Sequence, residues 1–352
     1  AEERAKAFAV FGAISAGGAA VGLLLGGILT ELLNWRWCLL VNTPVAIIAA
    51  IATYRVVTES KVHKTGSLDI PGALLGTLGL VCLVYGFTKA GETSWDNGTT
   101  VAFLAAALAL LAVFVVVESR HRNPLLPLRI PRDRNRGGSY LTSIMLGAAI
   151  FGASLFLTYY FQGVLGYTPI QAGLASLPIS LGVFVAAGAL GKVLTRTGPR
   201  PVMLAGALFG AAGMALLAQI EVESSFWTLV FPGELLFGMG MGMIFVPLAN
   251  IALINVEPDD AGVASAVLNA SQQVGGSLGT ALLNSVYTSA VSAYLIDNAI
   301  ANPHDPAALV HGFEVGFWWS AGLMVIAAGV ILVMIRAGKE DLVEAEGVAH
   351  LG

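Results

Sequence analysis

Residues 7–32, AFAVFGAISAGGAAVGLLLGGILTEL, form a long run in which Glu31 is the sole charged residue. A helix crosses a bilayer with about 20 mostly apolar residues, so this run predicts a membrane span. Four of its glycines, Gly18, Gly22, Gly26 and Gly27, follow a spacing close to four residues. Glycine weakens an isolated helix, but small residues four apart let two membrane helices approach closely. The run therefore predicts a membrane helix that packs tightly against a neighbour.

The composition of the whole chain is typical of a membrane protein. It is 56% hydrophobic and 11% charged, whereas soluble domains carry about 25% charged residues. Ten runs are long enough to cross a bilayer: 7–32, 37–56, 70–88, 99–118, 139–162, 169–194, 201–220, 226–254, 262–291 and 312–335. Each is too long for a strand, so we predict an all-α integral membrane protein. No cofactor, metal site or disulfide is expected, because Cys38 and Cys82 both lie in apolar runs.

The positive charges predict the orientation of the chain. Of the 18 lysines and arginines, all but Arg36 and Lys89 fall in one set of alternate connections. Connections rich in Lys and Arg stay in the cytoplasm. Both ends of the chain and the basic loop 119–138 are therefore predicted to be cytoplasmic. The positive charge of the loop is better explained by topology than by binding of lipid headgroups or nucleic acid. The apolar spans make the bilayer the expected partner, and nucleic acid is not expected.

Two segments far apart in the chain are similar to each other. GAISAGGAAVG, residues 12–22, aligns with NASQQVGGSLG, residues 269–279, and this alignment places Gly18 on Gly275 and Gly22 on Gly279. Both segments are predicted to start at the cytoplasmic side and run outward. Parallel internal repeats occur in secondary transporters, which bind substrate between the two halves.

Several segments resemble the major facilitator superfamily, and more narrowly its fourteen-helix drug:proton antiporters of the EmrB/QacA type. Residues 18–27 approximate the antiporter motif GxxxGPxxGG, with Leu23 at the proline position. The other matching segments are WRWCLLVNTP (35–44), LDIPGALLGTLGL (68–80), YFQGVLGYTPIQAGLASLP (160–178) and DDAGVASAVLNASQQVGGSLGTA (259–281). The resemblance extends over essentially the whole chain.

This resemblance implies a division of the chain into four parts. Residues 1–56 would end the N-terminal half as family helices 5 and 6, and 57–137 would hold two linker helices and the basic loop. Residues 138–336 would form the C-terminal six-helix bundle, followed by a cytoplasmic tail, 337–352. Ala1 would then lie just before family helix 5, and the first four family helices would be a missing partner from the same protein.

The function implied by the resemblance is secondary active transport. The protein would export drugs or other amphiphilic small molecules across the plasma membrane, with the proton gradient as its energy source. It would not be an enzyme. The alternative is a truncated membrane fragment or assembly component that does not transport. The sequence itself does not identify the substrate.

A short cytoplasmic segment resembles a second family motif. GKVLTRTGPR, residues 191–200, is similar to a degenerate second copy of the loop motif GxLaDRxGRR, matched by Gly191, Arg196, Gly198 and Arg200. Thr195 stands at the acidic position, which weakens the expectation of a charge relay. The alternative is a tight cytoplasmic turn with positive charge.

Glu234 is the deepest ionisable residue of the predicted spans. It lies about eight residues into the span 226–254 from the outer side. Ionisable groups inside a membrane are costly and mark functional sites by default. Glu234 is therefore a candidate proton or cation site. The alternatives are a carboxylate facing a wet outer vestibule, or one that caps the helix after Pro232.

Polar uncharged residues within the spans are candidates for a substrate cavity, which is expected to be mostly apolar with a few polar groups. The candidates are Tyr159, Tyr160, Gln162, Asn250, Asn269, Gln272 and Gln273. The spacing of Asn269, Gln272 and Gln273 places these three on one helical face. For the amides the alternative is hydrogen bonding between helices, and for the tyrosines it is the aromatic belt at the membrane interface.

Overall fold

The computed structural model describes residues 17–18, 20–56, 69–121, 124–254, 256–257 and 260–338. The first part of the predicted span 7–32, the residues 57–68 that begin the linker segment, and most of the tail 337–352 lie outside these residues. The same applies to the side chains of Lys192 and Thr195 in the loop motif.

The described residues form helices joined by short connections. In chain order these are α1 (Ala20–Leu32), α2 (Arg36–Leu40), α3 (Asn42–Val56), α4 (Ile70–Glu92), α5 (Gly98–Arg120), α6 (Arg129–Arg132), α7 (Arg134–Tyr159), α8 (Pro169–Ala175), α9 (Leu177–Thr197), α10 (Pro199–Leu217), α11 (Phe231–Leu253), α12 (Ala261–Asp297) and α13 (Pro306–Met334). Two π-helical turns, Tyr160–Val164 and Phe226–Val230, adjoin α7 and α11. The all-α fold class predicted from the sequence is confirmed.

Eight segments of the described residues are long and apolar enough to cross a membrane. They are Arg36–Val56, Ile70–Glu92, Gly98–Arg120, Arg134–Val164, Pro169–Leu190, Pro199–Leu217, Phe226–Leu253 and Pro306–Met334. They coincide with eight of the ten predicted spans, which makes this a multi-pass membrane protein. The ninth predicted span, 262–291, is part of α12, which has 37 residues and is too polar to fall in this set. At 1.5 Å per residue α12 is about 55 Å long, well beyond the ~30 Å of a bilayer core.

Two of the predicted continuous spans are interrupted. The span 37–56 breaks at Val41, between α2 and α3, and the span 169–194 breaks at Ser176, between α8 and α9. Both breaks lie two or three residues before a proline, Pro44 and Pro178. Proline has no N–H to donate and clashes with the preceding turn, which favours a new helix start.

Helices α4 and α5, in the segment predicted to be a linker, pack against each other in antiparallel fashion through glycines. Gly72, Gly79 and Gly86 of α4 are buried. A Cβ atom at Gly79 would lie 2.8 Å from Leu111, and one at Gly86 would lie 2.8 Å from Leu104. The pair is attached to the rest of the protein near Gly91, where an added Cβ would be 3.3 Å from the carbonyl oxygen of Ala281 in α12.

The C-terminal bundle, α7 to α13, contains most of the buried core. Gly275 and Gly279, which the sequence repeat singled out, are buried on α12 where it crosses α7. α11 packs between α9 and α10. A Cβ at Gly182 of α9 would lie 2.7 Å from the amide of Met239, and one at Gly213 of α10 would lie 2.5 Å from that of Phe237. Small residues thus bring α11 into backbone contact with helices on two sides.

Candidate functional site: an apolar groove beside a buried carboxyl group

An aromatic-lined groove lies between α1 and helices α8, α9 and α11 of the C-terminal bundle. Its volume is about 460 Å³, which is within the range of small-molecule sites. Its lining residues come from α1 and Gly17 before it, from α8 and α9, and from the π-helical turn and first residue of α11: Gly17, Ala20, Leu174, Leu177, Pro178, Ser180, Leu181, Phe184, Phe226, Trp227 and Phe231. These residues carry no charge, so the groove suits an apolar or aromatic molecule.

The aromatic wall of the groove is built by the π-helical turn before α11. Trp227 packs against Phe226 edge to face at 5.3 Å and against Phe231 at 5.5 Å between ring centroids. Trp227 is 72% exposed in the described residues, so its face is open to a bound molecule. π-helical turns within helices are frequent at functional sites, because they turn side chains away from the regular helical register.

Glu234 lies one helical turn after Phe231 and is completely buried. Neither of its carboxyl oxygens has a hydrogen-bond partner among the described residues. Close packing of the adjacent residues explains this burial: Gly233 packs on Leu217 of α10, and the carbonyl of Leu235 packs on Gly182 of α9. An ionised carboxyl in such a place costs several kcal/mol.

The two alternatives for Glu234 are a wet outer vestibule and a helix cap. A vestibule would leave the side chain exposed, and a cap would give its oxygens a backbone N–H partner. The described residues supply neither feature. The helix is instead continuous with the preceding π-helical turn, so the amides near Pro232 do not need a side-chain cap.

Next to the groove, α1 and α8 make close backbone contact. Gly27 is buried, and a Cβ there would lie 2.7 Å from the carbonyl oxygen of Pro169. On the facing helix, a Cβ at Gly173 would lie 2.9 Å from the carbonyl oxygen of Leu23. The carboxylate of Glu31 also accepts a hydrogen bond from the amide of Ile170 at 3.0 Å.

The other three glycines of the opening motif are placed differently. A Cβ at Gly18, Gly22 or Gly26 would meet no atom within 4 Å among the described residues. In this part of the chain, the close packing predicted for the motif is found at Gly27. Whether the others pack at an interface between the halves stays a prediction.

The three substrate-cavity candidates at the end of the predicted span 139–162 lie in different environments. Tyr160 is fully buried, and its hydroxyl donates a hydrogen bond to the carbonyl oxygen of Glu221 at 3.0 Å. Tyr159 is 48% exposed, and Gln162 is exposed as well. None of the three lines the groove.

The predicted amides also lie away from the groove lining. Asn269 and Gln273 are exposed on α12, and Gln272 and Asn250 are half-buried. The side chain of Asn269 donates a hydrogen bond to the carbonyl oxygen of Ser265 within its own helix, at 3.1 Å. A role for these four amides in a substrate cavity remains a prediction.

The loop motif forms a one-residue turn between two helices. α9 ends at Thr197, α10 begins at Pro199, and Gly198 between them has φ +81°. Arg200 donates a hydrogen bond to the carbonyl oxygen of Leu332 near the end of α13, at 2.7 Å. Arg196 is exposed, and Gly191 lies within α9. The geometry is that of the tight turn that the sequence left open as an alternative.

The aromatic groove residues were missed by the sequence analysis, which searched the spans for polar groups. A signal was present in FWTLVF, residues 226–231, where three aromatic residues fall within six positions at the start of a span. Such clusters also occur in the aromatic belt at the membrane interface. The cluster 226–231 differs from such a belt because it lies opposite α1, and that position depends on the tertiary structure.

Comparison with known proteins relates this chain to antibiotic-resistance and export proteins. It is 42% identical over 96% of its length to the puromycin resistance protein pur8 of Streptomyces alboniger, of which it covers 68%. It is 32% identical to the uncharacterized MFS-type transporter EfpA of Mycobacterium tuberculosis, over 94% of this chain and 62% of that protein. It is 30% identical to the tetracenomycin C resistance and export protein of Streptomyces glaucescens, over 90% of this chain and 60% of that protein.

The chain therefore spans about three fifths to two thirds of the length of these relatives. The family model that describes the Major Facilitator Superfamily matches residues 1–280. That match covers well over half of the chain and includes α1, α4, α5 and the bundle helices that form the groove. With its packed membrane helices and this match, the chain belongs to the Major Facilitator Superfamily.

Proposed function

We propose that this chain is part of a proton-coupled secondary transporter that exports amphiphilic small molecules, including antibiotics, from the cell. The observation that carries the proposal is the uncharged aromatic groove between α1 and the C-terminal bundle, with the buried Glu234 one helical turn from its wall. The printed names of the relatives, which include puromycin resistance and tetracenomycin C export, support this class of substrate.

In this mechanism the groove residues bind the substrate. Phe184, Trp227 and Phe231 offer ring faces to an apolar or aromatic molecule. Because the lining residues carry no charge, the groove favours binding of many different substrates over selection of one. The groove lies between α1 and α9, which the resemblance assigns to opposite halves of the transporter. Motion of one half against the other would therefore change the shape of the groove and its access to water.

Glu234 provides the proton step. In the present conformation its carboxyl is buried and has no hydrogen-bond partner in the described part of the chain, so the neutral form is the one that fits this environment. In a second conformation that opens the groove, water or a cationic substrate would reach Glu234 and its proton would leave. A carboxyl that is protonated in one state and ionised in the other couples proton movement to the conformational change.

Finer features of the proposal follow the family resemblance. The chain would correspond to a fourteen-helix transporter from family helix 5 onward, in the plasma membrane, with both ends cytoplasmic. The remaining helices of that protein would complete the groove from the side of α1 and α3, where α3 has no buried residue. The exposed Asn269 and Gln273 would face those helices.

The alternative, a membrane component that does not transport, has less support. An assembly component would have no use for a buried acidic group beside an apolar groove, whereas a truncated fragment would keep both but would not transport. Here the groove and Glu234 lie next to each other, and the relatives named above include an export protein.

The test is transport by the full-length gene product in proteoliposomes with an imposed pH gradient. We expect Glu234→Gln to abolish gradient-driven uptake of puromycin and ethidium while exchange without a gradient survives, because glutamine keeps the size but cannot titrate. Loss of ethidium transport alone would instead assign Glu234 to cation binding.

Glu314→Gln is the matched control. Glu314 lies near the outer end of α13, is partly exposed, and is paired with His311 at 3.2 Å. We expect this variant to transport like the wild type. If Glu234→Gln equals the wild type in both assays across pH 6 to 8, the proposed proton role of Glu234 is wrong.

A further inference from the structure

Three titratable groups meet at the cytoplasmic end of the linker helices. Asp69 precedes α4, Glu118 lies in the last turn of α5, and His121 follows α5. Asp69 and Glu118 are both more than nine-tenths buried. The Nδ1 atom of His121 is 3.6 Å from Oδ2 of Asp69.

One oxygen of each carboxyl has a backbone partner. Oδ1 of Asp69 accepts a hydrogen bond from the amide of Gly72 at 2.9 Å and so caps α4. Oε2 of Glu118 accepts one from the amide of Leu126, also at 2.9 Å. These two bonds fix the orientation of both carboxyl groups.

The second oxygen of each carboxyl has no hydrogen-bond partner among the described residues. These atoms are Oδ2 of Asp69 and Oε1 of Glu118. Both lie above Gly72, where an added Cβ would come within 3 Å of each of them. The Glu118 side chain is also within hydrogen-bonding reach of Asp69. Glycine at position 72 leaves the space in which the two free oxygens approach each other.

Two buried carboxylates within hydrogen-bonding reach of each other repel, whereas one proton between Oδ2 of Asp69 and Oε1 of Glu118 removes the repulsion and gives both atoms a hydrogen-bond partner. We propose that Asp69 and Glu118 form a binding site for a single shared proton, which holds the cytoplasmic ends of α4 and α5 together. The charged groups of the described residues that act on Glu118 are Asp69 and His121.

A proton fits this site better than a metal ion. No group of three or more ligating side chains suited to a metal is found in the described part of the chain. Two of the four carboxyl oxygens are already committed to backbone amides. The site lies in the linker pair, away from the groove and from Glu234, so it can be tested without a transport assay.

The test combines infrared spectroscopy with thermal unfolding of the purified full-length protein. We expect the wild type at neutral pH to show the carbonyl stretch of a protonated carboxyl that Glu118→Gln lacks. The contribution of Glu234 cancels in this difference spectrum. Glutamine donates a permanent hydrogen bond in place of the proton, so between pH 6 and pH 9 the wild-type unfolding temperature should fall relative to Glu118→Gln by about 2 °C or more.

Asp69→Asn serves as a second variant, because asparagine keeps the helix cap while removing one carboxyl. It should lose the same infrared band. Glu92→Gln, at the other end of α4 and exposed beside Lys89, is the control and should follow the wild type at every pH. Parallel unfolding curves for wild type and Glu118→Gln, or no band in the difference spectra, would overturn the shared proton. Stabilisation of the wild type alone by added Na⁺ or Mg²⁺ would replace it with a cation site.

Discussion

Gly27→Ala tests whether contact between α1 and α8 closes the outer end of the groove. A Cβ at position 27 would lie 2.7 Å from the carbonyl oxygen of Pro169 and 3.1 Å from Cα of Ile170. Ordinary contacts begin near 3.4 Å, so the two helices must separate by about 0.7 Å, the difference between 3.4 and 2.7 Å. Overpacking of this kind costs about 1–3 kcal/mol. The closed conformation should therefore become about 5- to 150-fold less favourable relative to the open one.

The assay measures access to the groove from outside. Both native cysteines, Cys38 and Cys82, are free thiols and are first replaced. A single cysteine at Ser180, which lines the groove, then reports opening through its rate of reaction with an impermeant thiol reagent in intact cells. We expect Gly27→Ala to raise this rate at least fivefold, since the rate follows the open population.

Gly22→Ala is the matched control for this experiment. It adds the same methyl group to the same helix, but its Cβ would meet no described atom within 4 Å. The labelling rate should therefore stay at the wild-type value. Equal acceleration by both substitutions, or by neither, would show that close packing at Gly27 does not hold the outer end shut.

Three further predictions concern other parts of the chain. For topology, a cysteine at Ser94 should react with the impermeant reagent in intact cells and one at Arg129 should not; the opposite pattern would show that the orientation is inverted. Gly198→Ala should lower the unfolding temperature by a few degrees, because φ +81° costs a residue with a Cβ about 1–3 kcal/mol; an unchanged temperature in calorimetry would contradict this. Trp227→Ala should weaken ethidium binding about 2- to 10-fold through loss of an aromatic face, measured by fluorescence titration, and unchanged binding would place the ligand outside the groove.

Much of the fold could be predicted from the sequence because its signals are local. A membrane helix satisfies its own backbone hydrogen bonds, so length and apolar composition suffice to locate it. Eight predicted spans coincide with described helices for this reason. The cap at Asp69 is equally local, because an acidic side chain three residues before Gly72 can reach its amide.

The candidate site could be predicted less well. The sequence identified Glu234 as the deepest carboxyl, because the hydropathy of the surrounding run is visible along the chain. It did not identify Phe184, Trp227 or Phe231 as groove residues, because an aromatic residue near a membrane surface has the same sequence signature in a belt and in a binding site.

The sequence by itself therefore determined that this protein is embedded in a bilayer, the approximate bounds of eight membrane spans, and the family it resembles. The tertiary structure alone decided that Glu234 is buried with no hydrogen-bond partner among the described residues, that Gly27 meets α8, and that Asp69 and Glu118 share the space above Gly72. These outcomes depend on how helices distant in sequence are placed against one another. In lipid that placement is set by close packing between facing helix surfaces. The sequence of one helix shows its own surface but not which other helix packs against it.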